Sequence, residues 1–302
     1  MDKEKSIYLS QIRIEKLFGE SSITWDLCND INILGGINGS GKSTIFKCVY
    51  FLLMKGKLPE YMKDICESIE LNFSNGYSAK WKTEEDRIAH QDSGDNMKFA
   101  IRLTIHDFIQ YFLSWQQINF LETLEHEIIS KEVAEKIGNE NIRTNLDLAI
   151  YQQIVKRNAL LAEYFEKASA SGSIDQSLRK MTDIYQVLNS FFKSTHKEAT
   201  NSNKFEFKCP NRTISWYQLS SGEKQLLLVL LTVFNTENHP GIFIMDEPDL
   251  GMHIEWKEIF IKQIHAINPN LQLIISTHAP SMIKGWYGHV KEMSQLTVNP
   301  KQ

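Results

Sequence analysis

The stretch GGINGSGKST, residues 35–44, decides how this chain is interpreted. It follows the apolar run Ile31 to Leu34, which predicts a short strand, and it precedes sequence typical of a helix from Thr44 to Met54. Its spacing, Gly36-x-x-x-x-Gly41-Lys42-Ser43, matches a phosphate-binding loop. Glycines let backbone N–H groups turn inward around phosphate oxygens, and a helix N-terminus adds a favourable dipole. A glycine turn that binds nothing is the alternative, and the strand–loop–helix context disfavours it.

In this interpretation Lys42 reaches the terminal phosphates and Ser43 is a ligand of magnesium. The remaining contacts with the phosphates are expected from neighbouring residues of the same loop. The predicted phosphate-contacting residues are Gly36, Asn38, Gly39, Ser40, Gly41, Lys42, Ser43 and Thr44.

A second informative stretch runs from Gly241 to Pro248, with four apolar residues followed by Asp246 and Glu247. It predicts a buried strand whose C-terminal end carries two carboxylates, at the edge where open α/β sheets bind ligands. Asp246 is predicted to hold magnesium through water. Glu247 is predicted to polarise the water that attacks the terminal phosphate. An ordinary acidic turn is the alternative, and it is disfavoured downstream of a phosphate loop.

The third stretch is LSSGEKQ, residues 219–225, which precedes a helix with an apolar face. Ser220, Ser221 and Gly222 at a helix start form a second anion cradle, or else a plain serine N-cap. One nucleotide does not need two cradles in one chain. The redundancy is explained if two copies pair head to tail, so that each cradle closes over the phosphates held by the other copy.

With these elements in order, the chain resembles the ABC-type ATPases. Their LSGGQ-like signature is matched by LSSGEKQ, and their switch histidine by His278 in the stretch Ile274 to Pro280. Alone, that histidine would be interpreted as a core residue or a cap; the resemblance implies contact with the γ-phosphate. It covers roughly residues 5–60 and 203–290. It implies an α/β fold, a P-loop ATPase head with an antiparallel β-rich N-terminal part and a helical insertion, with ATP and Mg²⁺ bound by a homodimer.

The residues after the carboxylates narrow the resemblance. EPDLGMH, residues 247–253, looks like the EPExxLH-type stretch of the soluble RecF, OLD and SMC-like branch, with Met252 where leucine is usual. By this resemblance Asp249 joins the predicted nucleotide-contacting residues. The branch comprises ATPases of DNA repair and of bacterial anti-phage systems. Because 177 residues separate Lys42 from Leu219, a longer interval than the resemblance gives for transport ATPases, the energy subunit of a membrane transporter is the less favoured alternative.

The pattern along the chain predicts three segments of one composite ATPase domain: an N-terminal lobe over 1–105, a helical insertion over 106–202 and a C-terminal lobe over 203–302. The residues ASASGS, 168–173, are predicted as a linker within the insertion. A seam from Ile174 to Phe192 favours a helix packed within its own subdomain over a dimerising coiled coil. Strands are predicted over 7–18, 23–27, 31–34 and 203–217, with a hairpin formed by 66–73 and 77–82.

Two contacts that the resemblance implies stay open. The glutamine that links the magnesium site to the insertion is Gln110, Gln116 or Gln117, and the sequence does not choose between them. Arg13 and Lys16 are candidates for adenine contacts, with ordinary surface charge as the favoured interpretation.

Composition limits the partners. A net charge of −4 and a pI near 6.2 argue against a protein whose main task is to hold nucleic acid, although DNA stays a possible partner. The four cysteines show no metal spacing, which indicates free thiols in a reducing cytosol. The longest apolar stretch, Leu226 to Phe234, is too short to cross a membrane. We therefore expect a cytoplasmic protein without a membrane partner.

A separate effector is expected because the chain carries none that can be identified. Only 24 residues follow His278, and their one acid is Glu292, which leaves no room for a nuclease domain. The insertion is also too short for the long arms of SMC-like proteins. We expect a separate nuclease or toxin as partner, in defence or in DNA repair. The alternative is an ATP-locked DNA-binding clamp of a repair complex.

Overall fold

The computed structural model describes residues 7–55, 58–83, 85, 87–91, 139, 141–171, 184–200 and 204–298. The chain forms two compact units made of interleaved segments. Unit one comprises Met1–Leu113, Pro240–Pro248 and Asn270–Gln302, and unit two comprises Ser114–His239 and Asp249–Pro269. This grouping concerns contacts in space, and the three-segment division along the chain stays a prediction.

Unit one contains a six-stranded antiparallel sheet in the order β13-β2-β1-β4-β5-β6. In β1, Ile12 and Ile14 are buried while Arg13 and Glu15 are exposed, because one face of an antiparallel sheet can meet solvent while the other packs on the core. The strands are β1 (Leu9–Leu17), β2 (Ser21–Asp26), β4 (Ser68–Phe73), β5 (Ser78–Lys82), β6 (Arg87–Gln91) and β13 (Thr297–Val298).

A four-stranded parallel sheet is the second layer of unit one, in the order β10-β11-β3-β12. Its strands are β3 (Ile31–Gly35), β10 (Gly241–Asp246), β11 (Leu271–Ser276) and β12 (Val290–Glu292). Every residue of β3 and β11 is buried, which explains why their sequences are mainly apolar. Helix α1 (Lys42–Lys55) follows β3, and its Phe46 stacks on Trp25 in the core, with ring centroids 6.3 Å apart.

Unit two is mainly helical. It contains α2 (Asn145–Ser171), α3 (Ile184–Phe192), α4 (Ser221–Phe234) and α5 (Ile254–Ile267), with a small antiparallel sheet of β7 (Glu198–Ala199), β8 (Glu206–Cys209) and β9 (Arg212–Ser215). Helix α4 is buried along its length from Leu226, so its sequence is apolar on all sides. Helices α2 and α4 are joined by a buried hydrogen bond from Asn235 to the Gln153 side chain, 2.9 Å long.

Short elements complete the chain. Unit one also contains α6 (Pro280–Ile283) and α7 (Met293–Leu296), and single 3-10 turns span Glu60–Ile65, Lys193–Thr195, Trp216–Gln218 and Tyr287–His289. The predicted helix after residues 219–225 is confirmed as α4 and the predicted strand from Gly241 as β10, and α5, β11 and α6 follow in turn. The predicted hairpin is confirmed as β4 and β5, which turn at Gly76 with φ of 85°.

The predicted linker over 168–173 is wrong where the structure describes it, because α2 continues as helix to Ser171. Alanine is the strongest helix former, so the alanines of this stretch extend the helix despite the serines. Of the predicted seam, Tyr185, Leu188 and Phe192 are buried in α3, and Phe192 contacts Phe207 of β8 with centroids 4.8 Å apart. Ile174, Leu178 and Met181 lie outside the described residues, as do Gln110, Gln116 and Gln117.

Candidate nucleotide-binding site

The loop between β3 and α1 has the backbone that a phosphate cradle needs. Gly36, Gly39 and Gly41 have φ values of 147°, 79° and 98°, which residues with a Cβ rarely adopt. A Cβ on Gly36 would lie 3.0 Å from Ser40 Oγ, and a Cβ on Gly41 would lie 3.1 Å from the Phe18 ring. Conformation therefore favours glycine at all three positions, and close neighbours add a steric reason at Gly36 and Gly41 but not at Gly39.

Lys42 lies inside this loop and is only 3% exposed. Its Nζ donates hydrogen bonds to the backbone oxygens of Gly36 at 2.9 Å and Ile37 at 3.1 Å. Ser40 Oγ is buried and has no hydrogen-bond partner among the described residues. A buried hydroxyl without a partner is costly, and an oxygen-rich anion in the loop would satisfy it. The residues present therefore fit a bound phosphate.

The other predicted loop contacts are distributed around the cradle. Asn38 and Gly39 are exposed at the tip of the loop, and Ser43 and Thr44 are half-buried in the first turn of α1. The N-terminal N–H groups of a helix and its dipole favour an anion at this position. Their individual contacts with a nucleotide stay predictions.

Asp246 and Glu247 lie where β10 ends, and Ser276 of β11 pairs with Asp246 in register. Ser276 Oγ donates a hydrogen bond to Asp246 Oδ1. Glu247 has φ of 47°, and its N–H donates to both the Oγ of Ser276 at 2.9 Å and its backbone oxygen at 3.0 Å. The left-handed conformation is unfavourable for a residue with a Cβ, so these hydrogen bonds hold Glu247 in an uncommon backbone geometry.

The Glu247 carboxylate brings the separate motifs together. Its Oε1 lies 3.6 Å from Lys42 Nζ and 3.5 Å from His278 Nδ1. Glu247 is about one-fifth exposed and His278 about two-fifths exposed, so both are accessible to a ligand. The structure therefore assembles Lys42, Asp246, Glu247 and His278 in unit one, from stretches far apart in sequence.

Magnesium fits the donor set that the sequence predicts. Ser43 supplies a hydroxyl and Asp246 a carboxylate, and Mg²⁺ prefers oxygen ligands from one or two side chains completed by substrate phosphates and water. No cluster of three or more His, Cys, Asp or Glu side chains suited to a metal occurs in the part of the chain that the structure describes. The residues therefore fit a magnesium ion that binds together with the phosphates, rather than an ion held by protein ligands alone.

Three contacts in unit one were missed by reasoning from the sequence. Phe18 is 55% exposed, has φ of 56°, and its N–H donates to the Ile65 oxygen at 2.7 Å, which holds its ring against Gly41. Met293 also contacts the loop, 3.1 Å from a Cβ placed on Gly36 and 3.5 Å from one placed on Gly41. Ser276 joins the two carboxylates. A hydroxyl at the end of an apolar strand was a signal for Ser276, whereas Phe18 and Met293 gave none.

The predicted adenine candidates lie in β1, away from any described contact with the loop. Lys16 Nζ forms an exposed ion pair with Glu67 at 2.6 Å, and Arg13 is exposed between Thr24 and Glu70 on the neighbouring strands. Their involvement with adenine stays a prediction, and ordinary surface charge accounts for what is seen.

The signature residues begin helix α4 in unit two. Ser220 and Ser221 are exposed, and the Ser220 backbone N–H donates to the Glu223 carboxylate at 3.0 Å, as in a capping box. Burial favours a raised pKa for Glu223, but hydrogen bonds from Lys197 and from Ser220 hold its pKa below the usual value. Lys197 Nζ lies 2.7 Å from Glu223, which leaves the serines as the exposed part of the turn.

A second ion pair fixes this turn to the long helix of unit two. Lys224 Nζ lies 2.7 Å from Asp147, which is 2% exposed in the first turn of α2. Asp147 also accepts hydrogen bonds from the backbone N–H groups of Arg143 at 3.2 Å and Thr144 at 3.0 Å. The signature turn is thus anchored by buried charge as well as by apolar packing.

The signature glycine has a different role from the loop glycines. A Cβ on Gly222 would lie 2.3 Å from the backbone oxygen of Gly251, so the two chain segments touch through their backbones. Asp249, two residues before Gly251, is 1% exposed, and its carboxylate lies 3.4 Å from Lys257 Nζ. The predicted contact of Asp249 with a nucleotide stays a prediction.

Comparison with known families gives a match over nearly the whole chain. Residues 8–299 match the family described as the RecF/RecN/SMC N terminal domain. Among the described residues, no helix combines the length and the apolar character that crossing a membrane would require.

Two relatives illustrate the range of similarity. The chain is 36% identical over 81 residues to the retron Vc95 probable ATPase of Vibrio cholerae serotype O1 biovar El Tor, covering 23% of this chain and 16% of that protein. It is 19% identical over 302 residues to the Septu protein PtuA of Bacillus thuringiensis, covering 92% of this chain and 73% of that protein. The match to the retron protein thus spans less than a fifth of that protein's length.

A solved structure shows the same fold. The Smc head domain of Pyrococcus furiosus, solved with an extended coiled coil and bound to the C-terminal domain of ScpA, superposes with a TM-score of 0.52. The match has 14% identity and covers 92% of this chain and 91% of that chain. The predicted α/β head with its antiparallel sheet is therefore confirmed.

Proposed function

The chain belongs to the RecF/RecN/SMC N-terminal domain family, and from this premise we propose that it is a Mg-ATP-dependent ATPase whose dimerisation controls a separate effector. The observation that carries the proposal is the convergence of Glu247 with Lys42 and His278. A carboxylate within 3.6 Å of both a loop lysine and a histidine is suited to the hydrolysis of a bound nucleotide.

Nucleotide binding begins at the loop. Phosphate oxygens replace the Gly36 and Ile37 carbonyls as acceptors for Lys42 Nζ, and another oxygen accepts from the buried Ser40 hydroxyl. Ser43 and Asp246 would hold magnesium, which when bound would neutralise charge on the phosphates. Binding thus replaces hydrogen bonds from the Lys42 ammonium group to neutral backbone carbonyls with hydrogen bonds to anionic phosphate oxygens, which are stronger.

Hydrolysis depends on where Glu247 points. Its carboxylate accepts a hydrogen bond from the attacking water and orients it towards the terminal phosphorus. His278, 3.5 Å away, is placed to contact the γ-phosphate and to keep the carboxylate facing the reacting atoms. The uncommon backbone of Glu247 serves this orientation, because an extended backbone would turn the side chain elsewhere.

Dimerisation explains the second cradle. Ser220 and Ser221 are exposed at the start of α4, and the loop residues Ile37, Asn38 and Gly39 are exposed in unit one. In a symmetric pair each cradle of one copy closes over the loop of the other, so one patch is used twice. Contacts to the γ-phosphate exist only before hydrolysis, so the nucleotide biases the pair between closed and open states.

The effector is proposed as a separate nuclease or toxin, in anti-phage defence rather than repair. Support comes from the RecF, OLD and SMC-like resemblance, whose members work in both settings, and from the similarity to a retron probable ATPase and to a Septu protein. The acidic net charge also weakens the alternative of a DNA clamp.

The test is the Glu247→Gln variant, with Glu255→Gln as the matched control because Glu255 is an exposed acid of α5. We expect ATP binding to persist, phosphate release to fall by about a hundredfold or more, and a dimer to accumulate with Mg-ATP. Light scattering after gel filtration measures the mass. A variant that stays monomeric with bound ATP refutes the dimer.

Mass spectrometry of proteins retained by the tagged variant from its native cells identifies the effector, and recovery of DNA alone contradicts the effector proposal.

A further inference from the structure

Ser276 occupies the central position of the parallel sheet in unit one. Strand β11 lies between β10 and β3, and Ser276 pairs with Asp246 on one side and with Leu34 on the other. Its side chain is fully buried, with 0% exposure. The next residue, Thr277, donates its N–H to the Leu34 oxygen at 3.2 Å. The end of β11 therefore contacts both the strand that carries the carboxylates and the strand that leads into the phosphate loop.

The Ser276 hydroxyl serves both carboxylate residues. A hydroxyl has one proton to donate and two lone pairs to accept with. Here the proton goes to Asp246 Oδ1, and a lone pair accepts the Glu247 N–H at 2.9 Å. One side chain thus fixes the orientation of the Asp246 carboxylate and also restrains the backbone of Glu247.

The restraint matters because of the geometry at Glu247. Its φ of 47° lies in the left-handed region, which persists only where surrounding groups hold it. The described hydrogen bonds from the Glu247 N–H both end on Ser276, one at its hydroxyl and one at its backbone oxygen. Removal of the hydroxyl leaves the backbone bond but releases the link to Asp246.

We propose that Ser276 is a positioning residue that couples the magnesium ligand Asp246 to the water-activating residue Glu247. The inference rests on the proposed function and assigns a role to a residue that the motifs left without one. Groups that orient a metal ligand commonly change metal affinity when removed, although they do not touch the metal. Because the same hydroxyl restrains Glu247, its removal weakens magnesium binding and slows turnover together.

The experiment measures ATP binding to the full chain by calorimetry, in EDTA and over a series of Mg²⁺ concentrations. Ser276→Ala is compared with Ser68→Ala, a matched control in which a buried serine, 4% exposed, loses its hydrogen bond to Glu15 at 2.7 Å. For Ser276→Ala we expect the Mg²⁺ concentration at half-maximal enhancement to rise by about 10- to 100-fold, with ATP binding in EDTA unchanged. Ser68→Ala should leave both quantities at the wild-type values.

A Ser276→Ala variant with the same Mg²⁺ midpoint as Ser68→Ala overturns the inference, even if its turnover is slower. If Ser276→Ala does not fold, the same criterion is applied to Ser276→Cys, whose thiol is a weaker donor of similar size and should shift the midpoint in the same direction. Failure of the proposed function has a different signature, because the wild-type chain itself would then bind no ATP in response to Mg²⁺.

Discussion

Phe18 is the exposed aromatic ring that the structure places against the phosphate loop. Its backbone is held in the left-handed region, and its ring edge lies over Gly41, one residue before Lys42, which is predicted to contact the phosphates. The nucleoside must leave the loop beside one of its walls. An exposed aromatic face at that wall is suited to contact with a base, since stacking does not depend on which base is present.

We expect Phe18→Ala to weaken ATP binding by about tenfold or more, since stacking on an aromatic side chain contributes roughly 1–3 kcal/mol per base. Binding of inorganic tripolyphosphate, which has no base, should not change. Calorimetry with both ligands measures the difference. Tyr61→Ala, which removes another exposed ring of unit one, is the control. Equal losses for ATP and tripolyphosphate would show that Phe18 supports the loop rather than the base.

At the scale of single residues, the sequence predicted those site residues whose chemistry is indicated by their type and local spacing. Residue type and position predicted a common site for Lys42, Asp246 and Glu247, which lie at or after the end of buried strands, whereas the resemblance to ABC-type ATPases implied His278. Phe18 could not be found in that way, and the signal for Ser276, a hydroxyl at the end of an apolar strand, did not reveal its partner. Their roles come from contacts across the fold, with Gly41 in one case and Asp246 in the other, and no local pattern records such a contact.

The element that presents the signature is helix α4, and its first turn touches another backbone. Gly222 lies so close to the Gly251 oxygen that no side chain fits between them. The signature turn and the segment after Asp249 therefore move as one piece within unit two. Because Ser220 and Ser221 are proposed to meet the nucleotide of another copy, we expect the placement of this turn to affect dimerisation rather than phosphate binding.

We expect Gly222→Ala to abolish or strongly reduce the ATP-dependent dimer while leaving ATP binding by the monomer intact, because the added Cβ would lie 2.3 Å from the Gly251 oxygen. Forcing extra volume into packed structure costs about 1–3 kcal/mol. Gly288→Ala is the control, since a Cβ there meets no atom within 4 Å. Gel filtration with the slowly hydrolysing Glu247→Gln background provides the measurement. An undiminished dimer would remove Gly222 from the interface.

The elements that the sequence predicted are long enough to show a periodic or apolar pattern. Most of the missed elements are too short to show one. Strands such as β1 and β11 are long enough to show alternation or a continuous apolar run. β7 and β13 have two residues each, which is too short for any pattern. The end of α2 was misjudged for a different reason, because small residues that commonly form linkers also form helices when the chain has entered one.

For the whole molecule, the head-to-tail proposal makes a prediction that no single variant tests. Lys42→Ala damages the loop of a copy, and Gly222→Ala damages its signature. In a mixed pair, the site built from the Lys42→Ala loop and the Gly222→Ala signature carries both defects. The other site is built from the intact loop of one copy and the intact signature of the other, so it carries neither defect. If both elements had to act within one chain, mixing would rescue nothing.

We therefore expect equal amounts of the two inactive variants, when mixed, to regain up to about a quarter of wild-type phosphate release, the share expected from random pairing of copies with independent sites. Phosphate release by each variant alone is the baseline. A mixture that never exceeds the mean of its two components contradicts composite sites, whatever the oligomeric mass.

The parallel sheet also determines the point during synthesis at which the fold of this protein can first form in full. Strand β3, which leads into the phosphate loop, pairs with β11, with Leu34 opposite Ser276. Strand β11 is therefore synthesised more than two hundred residues after β3. Pairings between distant residues close large loops and form late. During synthesis, before β11 exists, the apolar residues of β3 lack the neighbouring strand that covers them. Chaperones prevent the aggregation of chains in this state. The site that we propose for nucleotide therefore forms only after β11 has been synthesised, so we expect nucleotide to bind late in folding rather than at its start.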